Sequence, residues 1–224
     1  PMGLPKWQHI EALLRQPRIA DAWFGRHGRP AEVSDIDRLY EEFTPMSAEA
    51  AREHATLIPG VLDLVARLRS RGIRIGTTTG YNRAVMEAVL PVAAAQGFEP
   101  DNLVCAGDVA ENRPSPLGMY RCFLDLEVWP AWRVLKVDDT VPGLLEGRHA
   151  GCWTAGVTAS GNAMGLSLPD WRALGEVEQS DGMALAAAEL RAASPEFLVP
   201  TVAALVPVID EIEDRLRRGV RPAG

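Results

Sequence analysis

The stretch 133-RVLKVDDTVPGLLEG-147 decides the fold. Val134, Leu135 and Val137 form a short apolar run, Pro142 and Gly143 mark a turn, and Leu144, Leu145 and Glu146 favour a helix. A buried strand that ends in two adjacent carboxylates, Asp138 and Asp139, delivers them to the crevice where open α/β sheets bind ligands. Hard oxygen donors in that position suit Mg²⁺. Asp139 and Thr140 are equally good helix starts, so on this stretch alone a metal site and a helix cap are balanced readings.

Working outward, strand and helix signals alternate from residue 57 onward. A helix over Val61–Ser70 leads through Gly72 to a strand at Ile73–Thr77, and the TTGYNR turn opens a helix at Ala84–Ala95. A strand at Asn102–Ala106, a loop over Gly107–Pro116 and a helix at Leu117–Leu126 precede the Val134–Val137 strand. A helix at Gly143–Ala150, strands at Trp153–Val157 and Phe197–Leu198, and a helix from Thr201 to Arg218 close the chain. This alternation predicts an α/β fold with a doubly wound parallel sheet and a site at the strands' carboxyl ends.

The first fifty or so residues carry no strand signal. Helical pieces are expected over Arg18–Trp23 and Asp35–Phe43, with breaks at Pro17, at Gly25 to Pro30 and near Pro45. Ile58, Pro59 and Gly60 punctuate the chain, so residues 1–55 read as a small helical cap lobe and residues 56–224 as the α/β core.

Charge and cysteine content narrow the function. A net charge of −7 argues against a general nucleic-acid or anionic-membrane surface, so an anionic ligand must be met by specific cations. Cys105, Cys122 and Cys152 have no C-x-x-C spacing and form an odd set, which fits a reducing cytoplasm rather than a disulfide framework. The longest apolar stretch, Phe197 to Ile209, is broken by Pro200 and Pro207 and falls short of the about 18 residues a spanning helix needs. No G-x-G-x-x-G follows any strand, which disfavours a dinucleotide site.

Three strand ends present a coherent set. Thr77, Thr78 and Thr79 with Gly80 offer hydroxyls and amides at a helix start, an arrangement suited to a phosphate. Arg113, between Asn112 and Pro114, offers a bidentate contact to the same anion, and Asp139 a metal ligand. Pro1 to Arg15 reads as a loop into a helix on which Lys6 and His9, three apart, share one face, where solvated polar residues are the plainer reading.

The order threonine, basic residue, acidic pair, each after its own strand, resembles the haloacid dehalogenase superfamily of phosphotransferases. Within it, the chain is similar to the phosphonoacetaldehyde hydrolases (phosphonatases) over essentially its whole length. The matching segments are PMGLPKWQHI, YEEF, IPGV, IRIGTTTGY, ENRPSP, LKVDDTVPGLLEGRHAG and WTAGVTASGNAMGL. The first is specific, because general members of the superfamily carry no lysine and histidine at this place in the cap.

The resemblance implies cleavage of the carbon–phosphorus bond of phosphonoacetaldehyde with Mg²⁺, giving acetaldehyde and phosphate. It assigns Lys6 to imine formation, His9 to proton transfer and Met2 to the aldehyde pocket. It also places Tyr81 near the phosphoryl group, gives Thr79, Gly80 and Arg113 the task of holding that group, and makes Asp139 the Mg²⁺ ligand. It further implies a homodimer acting on a small-molecule phosphonate.

Two departures qualify it. The family's aspartate nucleophile, in a D-x-A-G-T-x-x-D stretch after a first strand, has no counterpart in these 224 residues. The expectation is therefore an amino-terminally incomplete gene product with impaired cleavage, in which the strands flanking the missing one are left exposed. Gly143 also stands where some relatives place another acidic residue, leaving the metal more dependent on Asp139. Another phosphatase of the superfamily and a non-catalytic remnant remain open alternatives.

Overall fold

The computed structural model describes residues 5–223. The chain begins with three helices, α1 (Lys6–Leu14), α2 (Pro17–His27) and α3 (Val33–Glu53). The break expected at Pro17 falls between α1 and α2, and Pro17 itself opens α2, since a proline at the first helical position loses no intrahelical hydrogen bond. Gly25 lies within that helix, which ends at Gly28 in the left-handed region (φ 69°).

The break expected near Pro45 is absent, and α3 runs through it for 21 residues. Pro45 removes one i→i−4 bond, at a cost of roughly 3 kcal/mol in an unsupported helix. The packing of α3 along α5 (Arg83–Ala95) and the Asp35 carboxylate accepting the Glu32 amide (2.9 Å) at its start offset that loss.

The remaining chain alternates as its pattern predicts. After α4 (Val61–Ser70), β1 (Gly76–Thr78) pairs in parallel with β2 (Asn102–Val104). Past α6 (Leu117–Asp125), β3 (Leu135–Asp138) pairs in parallel with β4 (Trp153–Val157), which pairs in turn with β5 (Phe197–Val199). The helix α7 (Val141–His149) follows β3, and α10 (Leu205–Arg217) follows β5. No helix among the described residues is long and apolar enough to cross a membrane.

Two details differ from the sequence pattern. β1 starts at Gly76 rather than Ile73, because the Ile73 amide turns back to the Leu68 carbonyl (3.0 Å) and the Ile75 amide bonds the Asp101 carboxylate (2.7 Å). Helices α8 (Leu168–Ala173) and α9 (Glu176–Leu190) fill a segment with weak apolar periodicity. The buried face of α9 is Ala186, Ala187 and Leu190, two of them too small to mark a stripe.

Every residue of β4 is buried, so the sheet carries cover on both faces, and Leu64, Ala155, Val157, Val199 and Leu205 form the main core cluster. The strands fall into two ladders, β1–β2 and β3–β4–β5, with no pairing between β1 and β3 among the described residues. Side chains bridge those two edges: the Lys136 ammonium on β3 donates to the Thr78 hydroxyl on β1.

Candidate active site

Lys136 and Asp138 alternate along β3 and so project from the same face of the sheet. Glu146, three residues before the end of α7, reaches them because the helix crosses β3 closely at Gly147, where an added Cβ would lie 2.4 Å from Lys136 Cβ. Lys136 Nζ donates to Glu146 Oε2 (2.9 Å) and lies 3.5 Å from Asp138 Oδ2. Arg113 closes the group, with Nε 3.1 Å from Glu146 Oε2 and Nη2 3.2 Å from Asp138 Oδ2. Nη2 also donates to the Thr78 carbonyl (2.6 Å) and hydroxyl (2.9 Å).

Two cations and two carboxylates, with side chains 3–11% exposed, thus neutralise one another between the ends of β1 and β3. Buried charges persist only when paired in this way. The Nε and Nη2 positions of Arg113 are thus engaged by protein partners.

The adjacent carboxylates behave differently. Burial pushes Asp138 upward, but the charges of Lys136 and Arg113 and two hydrogen bonds from Thr140 prevail and hold it below its ordinary 3.8. Asp139 is raised, by burial first and then by the charge of Asp138, and its Oδ2 accepts the Asn162 amide (2.7 Å). Asp139 is therefore a partly buried carboxylate that forms no ion pair among the described residues, the Arg113 charge being the weakest influence on it, and such a group suits a divalent ion.

Among the described residues no group of three or more His, Cys, Asp or Glu converges. Mg²⁺ is commonly held by one or two carboxylates, waters and substrate oxygens, and Asp139 fits such a site.

The turn after β1 lies beside this group. Thr79 donates its amide to Val104 O (3.0 Å), and its hydroxyl accepts the Tyr81 amide (3.1 Å), folding the chain into the start of α5. Above it stands α1. Lys6 Nζ lies 5.3 Å from the centre of the Tyr81 ring, within cation–π reach.

Lys6 is one of only two lysines in the chain, the other being Lys136. Burial lowers the Lys6 pKa below 10.5. Burial and then the Lys6 charge lower His9 below 6.5, and the buried His9 Nδ1 has no hydrogen-bond partner among the described residues.

The structure thus gathers Lys6, His9 and Tyr81 on one side, with Thr79 and Gly80 in the same turn, and Arg113 beside Asp138 and Asp139 on the other. Met2 lies outside the described residues. Sequence reasoning missed Lys136 and Glu146. The available signal was a lysine inside the apolar run of a strand covered on both faces, which requires a buried counter-charge.

Comparison with known proteins shows the family. The family model for haloacid dehalogenase-like hydrolases matches residues 6–151. The phosphonoacetaldehyde hydrolase of Paraburkholderia xenovorans (strain LB400) is 46% identical over 222 residues, covering 99% of this chain and 83% of the relative. That of Vibrio cholerae serotype O1 (strain ATCC 39541) is 41% identical over 223 residues, covering 99% and 82%. A crystal structure of a phosphonoacetaldehyde hydrolase-like protein from Oleispira antarctica superposes with a TM-score of 0.97 at 39% identity, covering 99% of this chain and 80% of the other. The chain is therefore an enzyme of the phosphonoacetaldehyde hydrolase family, within the haloacid dehalogenase-like hydrolases.

Proposed function

We propose that this chain acts on phosphonoacetaldehyde, breaking its carbon–phosphorus bond through an imine on Lys6 to give acetaldehyde and phosphate. The observation that carries this reading is Lys6 itself. One of two lysines in the chain, it stands half-buried over the Tyr81 ring, beside a threonine turn suited to a phosphoryl group.

A carbanion is a poor leaving group, so the chemistry needs an electron sink before the bond breaks. The neutral Lys6 amine attacks the aldehyde carbon and water leaves. The imine takes up a proton, and the iminium nitrogen accepts the electron pair of the breaking carbon–phosphorus bond as the phosphoryl group passes, in the net reaction, to the oxygen of water, giving an enamine and phosphate. Protonation at carbon and hydrolysis then release acetaldehyde and return the amine.

Desolvation at Lys6 favours the neutral amine this sequence begins with. His9, lowered below 6.5 and therefore neutral near pH 7, is suited to move protons as water leaves and returns. Thr79, Gly80 and Arg113 hold the phosphoryl oxygens, with Tyr81 beside them. Asp139 would hold Mg²⁺, whose chemistry is to offset charge on those oxygens.

In this reading residues 1–55 act as a cap over a core of residues 56–224, in a cytoplasmic homodimer. No residue of the sequence is assigned as phosphoryl acceptor.

Borohydride reduction in the presence of phosphonoacetaldehyde tests the reading directly. It is expected to fix a covalent adduct on the Lys6 peptide, and an unchanged mass there would overturn the assignment.

A further inference from the structure

The YEEF segment, 40–43, has no part in the chemistry above, yet its tyrosine makes a contact that spans the molecule. Tyr40 Oη accepts a hydrogen bond from Asn82 Nδ2 at 2.7 Å in a partly buried setting. Asn82 is simultaneously the N-cap of α5, its Oδ1 accepting the Val85 amide at 3.1 Å. One turn earlier on α3, Asp37 Oδ1 accepts the indole N–H of Trp7 at 2.8 Å.

These bonds fall beside the reactive pair. Trp7 follows Lys6 in sequence and Asn82 follows Tyr81. One helix, α3, therefore grips α1 at the residue after the amine and the core at the residue after the ring beneath that amine. The circuit Lys6–Trp7–Asp37–Tyr40–Asn82–Tyr81 closes on the 5.3 Å contact between Lys6 Nζ and the Tyr81 ring.

We propose that Tyr40 and Asn82 are positioning residues that set the reach between the Lys6 amine and the phosphoryl-holding turn. A two-ended substrate such as a phosphonate aldehyde needs both ends met at once, so a shift of the cap helices relative to that turn penalises it strongly. A simple aldehyde needs only the amine and is little affected. This inference rests on the Lys6 imine proposed above.

The test measures borohydride-trapped adduct on the Lys6 peptide of the 224-residue chain. The nucleophile Lys6 Nζ bonds to the aldehyde carbon with loss of water, and hydride from borohydride reduces the imine to a secondary amine. Trapping rates are compared for phosphonoacetaldehyde and acetaldehyde in wild type, Tyr40→Phe, Asn82→Ser and the double variant. Phe keeps the ring packing, and Ser keeps the helix-cap acceptor while being too short to reach Tyr40.

Each single variant is expected to slow trapping of phosphonoacetaldehyde by on the order of tenfold or more, and of acetaldehyde by less than about twofold. The double variant is expected to add little, because both changes break one bond. Unchanged rates, or equal losses for both aldehydes, would overturn the positioning role while leaving the Lys6 imine intact. No adduct in wild type with either aldehyde would overturn the imine reading itself.

Discussion

The Asp138 carboxylate occupies the space that a side chain at Gly143 would need, because an added Cβ at residue 143 would lie 2.1 Å from Asp138 Cγ. The two positions are therefore coupled, and an acid fits at one or the other. Gly143→Asp alone is expected to lose about 1–3 kcal/mol through overpacking. Adding Asp138→Gly relieves the clash and leaves one carboxylate near Arg113 and Lys136, so the double variant is expected to regain much of the loss. Urea denaturation midpoints measure both, and strictly additive losses would show that the positions are independent.

Glu146 is the point on which two buried cations converge, with its Oε2 3.1 Å from Arg113 Nε and 2.9 Å from Lys136 Nζ. Removing it leaves both short of charge in a site with little solvent. Glu146→Ala is expected to cost about 3–5 kcal/mol. Replacing Lys136 and Glu146 together by Met and Leu removes both members of the pair, leaves Arg113 with Asp138, and is expected to cost less than Glu146→Ala alone. A double variant as unstable as the single one would mean that cavity and packing effects, not stranded charge, set the cost.

What was legible in the sequence follows from which interactions are local. The Val134–Val137 run, the turn at Pro142–Gly143 and the apolar Trp153–Val157 segment announce themselves within a few residues, and β3, α7 and β4 form there. Pro45 misled because helix continuity depends on the distant partner α5, which a local breaker rule does not see. The charges at Lys136 and Glu146 are ten residues apart, and each reads as an ordinary polar residue until β3 and α7 are packed together. The same holds for Tyr40 and Asn82, 42 residues apart. Gly143 was visible as a missing acid, but only the folded chain shows Asp138 lying in its place.

Asp139 and Asp138 differ in what they face, and a metal titration separates them. Asp138 is already paired with Arg113 and Lys136, whereas Asp139 accepts the Asn162 amide and makes no ion pair among the described residues. Mg²⁺ is expected to raise the thermal midpoint of the wild-type chain, with a stabilisation of about 2.7 kcal/mol at a concentration one hundred times Kd. Asp139→Asn is expected to abolish that rise. A full Mg²⁺ response in Asp139→Asn would place the ion elsewhere.

The lowered pKa of Lys6 fixes the sign of two pH effects. Burial favours the neutral amine, so the folded-state pKa lies below 10.5, and borohydride trapping is expected to rise with pH and level off before a free lysine would. Between the folded pKa and 10.5 the unfolded chain binds more protons than the folded one. The contribution of Lys6 to stability therefore increases with pH through that window and is unfavourable below it.

Lys6→Met removes this dependence. Burial is the first cause of the low His9 pKa and the Lys6 charge the second. The same substitution is therefore expected to move the His9 midpoint upward, toward 6.5 but not fully to it, since burial remains. Histidine ring resonances followed by NMR across pH 4 to 8 report that shift. An unmoved His9 midpoint would mean that the ammonium does not act on the imidazole, and that the two residues titrate independently despite sharing one face of α1.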